Sequence, residues 1–183
     1  MKTLAKVIGL TTLLGLTLGA FAQEAQAVDE LFVTAATEGN LYEIQSSELA
    51  LESASSEDVQ SYAQMMVEDH TRLGEAMTQV ATELGVTPPT EPGAAQQLML
   101  AQLSGLEGAA FDQAYLMQQV MSHQMEISLF EIAVQDAQNE QLTAFAQENL
   151  PSLQAHLQAA QSLMQQGGMT GGGMTGGSTG GGN

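Results

Sequence analysis

The sequence predicts an all-α protein: a four-helix bundle whose second and third helices are joined by a long crossover carrying a short helix of its own. Three observations carry this. Apolar residues recur at helical spacing, with no alternating β-type runs. A segment in the second half of the first bundle helix returns 83 residues later. Of the three connections between long helices, two are tight and the middle one is long. Stripes stepping by three and four mark amphipathic helices, and a repeat with a fixed offset marks paired supersecondary units.

The stripe Val59, Ala63, Met66, His70, Leu73, Met77, Val80, Leu84 defines the second bundle helix. Leu116, Val120, His123, Ile127, Phe130, Val134 defines the third, and Leu142, Ala146, Asn149, Leu153, His156, Ala160, Leu163 the fourth. The first, expected over residues 29–53, has a weaker stripe through Val33, Ile44 and Leu51. In the repeat, Glu43-Ile44-Gln45-Ser46-Ser47-Glu48-Leu49-Ala50 lies over Glu126-Ile127-Ser128-Leu129-Phe130-Glu131-Ile132-Ala133, and residues 59–64 lie over 142–147 at the same offset. Carboxylates therefore occupy matched positions in the two halves.

The breaks fit the stripes. Ser55 or Ser56 ahead of Glu57 and Asp58 is an N-cap with acids in the first turn, and Asn139 before Glu140 caps the last helix. Gly85, Pro88, Pro89 and Pro92 end the second helix. A short helical piece over residues 94–103 sits in the connection that follows. That connection can cover most of a bundle helix, which at about 1.5 Å per residue spans on the order of 40 Å. The expected path is hairpin, crossover, hairpin, as in ferritin-like bundles, with the second and third helices parallel. Pro151, inside the fourth helix, cannot donate to Gln147, so a local distortion is expected there. It coincides with a slip of the repeat: His70 follows Ala63 by seven residues, and His156 follows Ala146 by ten.

The ends read differently. Lys2 and Lys6, an apolar run from Val7 to Leu18 and the small-residue site Ala20-Phe21-Ala22 form a secretory signal pattern over residues 1–22, with Ala25-Gln26-Ala27 as a later cleavage site. The run is short for a membrane span. Residues 29–165 then form the bundle, and 167–183 a glycine-rich tail whose composition favours flexibility. Met169 and Met174 in that tail are soft enough for Cu(I), but two methionines in such a tail are more often spacer composition. With no cysteine there is neither a disulfide nor a lipid-anchoring thiol, so the expected location is periplasmic or extracellular without a lipid anchor. The chain has 21 acids, none of them in residues 1–22, and only three Lys or Arg. After cleavage Arg72 is the sole fixed cation. Such a surface repels nucleic acid and anionic lipid and favours cations loosely.

Chemistry concentrates at three histidines, His70, His123 and His156, each on the apolar stripe of a different long helix. Counted from their hairpin turns, all lie some 22–26 Å along their helices at about 1.5 Å per residue, near mid-bundle. Glu43 and Glu126 fall within about a turn of that level. Imidazoles converging with a carboxylate inside a bundle suit Zn²⁺, Fe or Cu²⁺, with Glu43 or Glu126 as fourth ligand. The spacing is not that of paired Glu-x-x-His motifs; only His123-x-x-Glu126 has i, i+3 spacing, in reversed order. A single core histidine is more often satisfied by neighbours, here by glutamate, Asn149 or water. Asp69 and Asp112 are expected to face outward or cap. Met65, Met66, Met77, Met117 and Met121 read as core filler. No Gly-x-Ser-x-Gly, catalytic cysteine or phosphate-binding glycine loop is present.

Tyr62-Ala63-Gln64-Met65-Met66-Val67-Glu68-Asp69-His70, then Phe111-Asp112-x-x-Tyr115 with His123 and Phe130-Glu131, then Leu150-Pro151-x-Leu153-x-x-His156-Leu157 resemble the three blocks of the bacterial domain of unknown function 4142 family. The resemblance covers roughly residues 29–163. It implies an exported, ferritin-like protein and supplies no catalytic residue or cofactor. Two readings remain: a non-catalytic exported bundle serving envelope stress or surface interaction, or a metal-binding or redox protein using the three histidines and a glutamate.

Overall fold

The computed structural model describes residues 11–171, and the side chains of residues 27–167. Five helices follow one another: α1 (Thr11–Ser53), α2 (Glu57–Leu84), α3 (Ala94–Leu103), α4 (Gly108–Asp136) and α5 (Glu140–Gly171). No strand occurs among the described residues. Helix α1 begins well before residue 29, and α5 runs on into the glycine-rich segment expected to be flexible from residue 167. A helix once nucleated adds a hydrogen bond per residue. It can therefore outrun its apolar stripe. The signal pattern at residues 1–22 and most of the tail lie outside the residues whose side chains are described.

Local signals set the helix ends. Ser56 caps α2, its hydroxyl accepting from the Val59 N–H. Gly85 closes it in a left-handed conformation (φ 69°), with Gly85 and Val86 N–H groups donating to Thr82 and Ala81 carbonyls. The Asn139 carboxamide oxygen accepts from Gln141 and Leu142 N–H, so α4 and α5 turn tightly. Asp112 also caps, from α4 across to the α1–α2 turn: its carboxylate accepts from the Ser55 and Ser56 backbone N–H groups and from the Ser55 hydroxyl.

Paired contacts give the topology. Phe32 meets Phe130, Tyr42 meets Gln118, and Ser47 meets Tyr115, so α1 and α4 are antiparallel. Tyr62 meets Tyr115 and His70 meets His123, so α2 and α4 run parallel across the bundle, as the long crossover requires. This is the hairpin–crossover–hairpin, ferritin-like arrangement. Helix α3 seals one flank by burying Leu103.

The interior is not one continuous apolar core. Toward the α4–α5 turn, Phe32, Leu73, Met77, Phe130, Phe145 and Leu153 form one cluster. Toward the α1–α2 turn, Ala50, Val59, Met66, Phe111, Tyr115 and Ala160 form another. Between them lies a polar layer containing Asn40, Glu43, His70, Gln119, His123, Glu126 and His156, all buried. Met66 and Met77 are core residues, but Met117 and Met121 are not: they are 46% and 51% exposed. They sit one residue beyond Leu116 and Val120, about 100° round the helix from the core-facing stripe.

Candidate metal centre

The polar layer brings together the five residues singled out in the sequence. The imidazole rings of His70, His123 and His156 form a triangle with centroid separations of 5.5, 5.4 and 5.5 Å. One nitrogen from each lies within 4.8 Å of the others, and a second triad of the same tightness joins Glu43, His123 and Glu126. His70, His123 and Glu43 are fully buried, and His156 and Glu126 expose 4% and 6%. Repeat-matched Glu43 and Glu126 face each other from antiparallel α1 and α4, the fold's approximate two-fold relation.

Each histidine is held from behind. His123 Nδ1–H donates to the Gln119 carbonyl at 2.9 Å, an oxygen that can only accept. His156 Nε2–H donates to the Asp69 carboxylate at 2.9 Å. His70 Nδ1–H donates to Asn40 Oδ1 at 3.0 Å. These bonds fix the tautomers and leave a lone pair on His70 Nε2, His123 Nε2 and His156 Nδ1. None of the three has a hydrogen-bond partner. Eight buried side-chain polar atoms are unpartnered among the described residues, and six belong to the three histidines, Glu43 and Glu126. Buried polar atoms are ordinarily satisfied, and six of the eight unpartnered ones gather in this one layer.

Burial sets the protonation states. It pushes His123 down to about 4, against the pull of the Gln119 carbonyl. It holds His70 well below the usual imidazole range, and the other two histidines add to the effect. His156 is lowered by burial too, with Asp69 opposing. The imidazoles are therefore neutral, the form that ligates metals. Burial pushes Glu43 up to about 7, offset in part by Ser122 and Gln119. Burial and the facing Glu43 raise Glu126 well above the carboxylate range.

Glycines make the room. A Cβ on Gly39 would stand 2.8 Å from Glu126 Oε1, and one on Gly74 would stand 2.8 Å from Asn40 Nδ2. Asp69 also pairs with Arg72, which is largely exposed. A surface cleft of about 660 Å³ between the α1–α2 turn and the end of α5 is lined by none of the five residues.

Sequence reasoning found the five central residues and missed their supports. Asp69 was expected to face outward or cap and instead anchors His156. Asn149, considered as a histidine partner, donates to the Phe145 carbonyl of its own helix. Asn40 was legible in principle, because it stands at the repeat position of His123. A backbone carbonyl such as that of Gln119 leaves no sequence signal.

Fold and site together define a helical bundle with a sealed polar centre of three neutral imidazoles and two carboxylates. The family model described as Domain of unknown function (DUF4142) matches residues 17–163, and the chain belongs to that family. Neither a curated protein nor a solved structure matches it. Among the described residues no helix is long and apolar enough to cross a membrane.

Proposed function

We propose that this protein binds a divalent transition-metal ion through His70 Nε2, His123 Nε2 and His156 Nδ1, with Glu43 and Glu126 bordering the open side of the ion. The carrying observation is that these three buried lone pairs are unpartnered while every opposite ring nitrogen is hydrogen-bonded. An outer partner on each ligating imidazole, fixing tautomer and raising basicity, is how histidine metal sites are built. Three imidazoles suit Zn²⁺, Cu²⁺ or Fe²⁺, and a nearby carboxylate offsets part of the charge. The sequence adds the setting: an exported, cysteine-free, acidic chain acting outside the cytoplasm as a binder rather than a catalyst.

The test is calorimetric titration of Zn²⁺, Cu²⁺ and, anaerobically, Fe²⁺ into metal-free wild type and His70→Ala, His123→Ala and His156→Ala. Binding of one ion should be lost or strongly weakened in each variant. Weak binding that survives all three substitutions would return the histidines to a structural role and leave cation collection to the acidic surface.

A further inference from the structure

We propose that Glu43 and Glu126 form a second cation position beside the three histidines, so that a filled chain holds two ions side by side. It would take a divalent ion of the oxygen-seeking Mn²⁺ or Fe²⁺ kind. The inference rests on the three-histidine reading, because His123 borders both positions. Three features of the structure carry it.

The potential ligand atoms fall into two triads rather than one set of five, and the triads share only His123. In that imidazole Nδ1–H donates to the Gln119 carbonyl and lies 3.7 Å from Glu43 Oε1, and Nε2 has no partner. The two carboxylates are therefore left as a pair with a location of their own, against α1. Both Glu43 oxygens and Glu126 Oε2 are buried and make no well-formed hydrogen bond, although Ser122 and Gln119 come close enough to Glu43 to favour its charged form.

The pair also lacks a lysine or arginine counter-ion, and His123, 3.7 Å from Glu43 Oε1, is held neutral by its burial. Arg72 is the only lysine or arginine beyond residue 6, and it is engaged with Asp69. In so dry a place a carboxylate pair must be neutralised by protons or by a bound cation, because isolated buried charge is prohibitively costly. An ion held by oxygen ligands satisfies the lone pairs as well as the charge.

The third feature is space cut for the carboxylate. Gly39 lies on α1 where an added Cβ would stand 2.8 Å from Glu126 Oε1 and push that carboxylate aside. Helix interiors disfavour glycine by about 1 kcal/mol relative to alanine. Here it seats a carboxylate against the helix opposite Glu43. Oxygen donors suit harder ions and imidazoles suit Zn²⁺ or Cu²⁺, so the two positions differ in preference.

The experiment exploits that difference. Metal-free protein is given one equivalent of Zn²⁺, then Mn²⁺, and native mass spectrometry counts each ion while Mn²⁺ electron paramagnetic resonance follows the second. Wild type should carry one Zn²⁺ and one Mn²⁺. Glu43→Gln, Glu126→Gln and the double variant should still take up Zn²⁺, more weakly, while Mn²⁺ affinity falls on the order of 10–100-fold or more. These exchanges keep side-chain volume, and helical circular dichroism checks the fold. Zn²⁺ without Mn²⁺ in wild type would overturn the second position and leave the first standing. Mn²⁺ bound equally by the double variant would also overturn it, as surface capture. Failure to take up Zn²⁺ at all would overturn both.

Discussion

Replacing Glu43 by glutamine should stabilise the metal-free protein at neutral and alkaline pH and do nothing at acid pH. Burial pushes the Glu43 carboxyl from its ordinary 4.5 up to about 7. Between those values the unfolded chain has released this proton and the folded chain still holds it. Stability therefore declines as pH rises through the window. At 1.36 kcal/mol per pKa unit, the full penalty above pH 7 is about 3 kcal/mol. Glutamine keeps the shape and never ionises. The difference between variant and wild type should be near zero at pH 4.5 and grow to about 3 kcal/mol by pH 7, then level off. Urea denaturation of chelator-treated proteins from pH 4.5 to 9, followed by helical circular dichroism, measures it. Saturating metal should narrow or reverse the ranking, because ligand at a hundred times its Kd adds about 2.7 kcal/mol to the state that binds it. A variant less stable than wild type at pH 8, or a difference that does not move with pH, would refute the reasoning.

Other outcomes follow from the same centre and its supports. The buried histidines act in the opposite sense to Glu43: the unfolded chain takes protons that folded His123 refuses until about pH 4. Metal-free Glu43→Gln should thus lose stability from about pH 6.5 downward more steeply than wild type, and a flat profile would contradict neutral buried imidazoles. Asp69→Asn should weaken metal binding by about 10–100-fold, read by titration, because His156 loses the carboxylate that orients it. Gly39→Ala gains about 1 kcal/mol of helix propensity and loses about 1–3 kcal/mol to overpacking against Glu126. A lowered melting temperature is expected, and a raised one would show that Glu126 moves aside freely. Asp112→Ala removes three hydrogen bonds to the α1–α2 turn and should cost about 2 kcal/mol in chemical denaturation, in the range of a lost cap.

The bundle was legible because its signals are periodic and local. The stripes, Ser56, Gly85 and Asn139 each state a helix face or end, and the repeat aligned Glu43 with Glu126. The meeting of three histidines was also readable, since helix rise converts residue counts into heights. What escaped was anything depending on how helices rotate against one another. Whether Asp69 turns out to solvent or in to His156 is settled by a rotation of a few tens of degrees about α2. Met117 and Met121 show the same weakness in reverse: a methionine one step off the stripe keeps helical spacing and still faces water. Helix extent was overrun at both ends, at Thr11 and Gly171, because apolar pattern marks the part of a helix that packs, not the part that forms.

The three imidazoles come from α2, α4 and α5, and the two carboxylates from α1 and α4, so every long helix contributes to one layer. In a chain without a cysteine, an ion lodged there is a cross-link. It ties residue 70 to 123 and 123 to 156, closing loops for which the chain-entropy account of disulfides gives stabilisation of roughly 3–5 kcal/mol. Many proteins obtain such ties by oxidising thiols, and this one would obtain them by coordination. Its integrity would then be indifferent to reductants and answer to chelators and acid, so the loaded and empty protein should part company in a protease digest run with and without chelator.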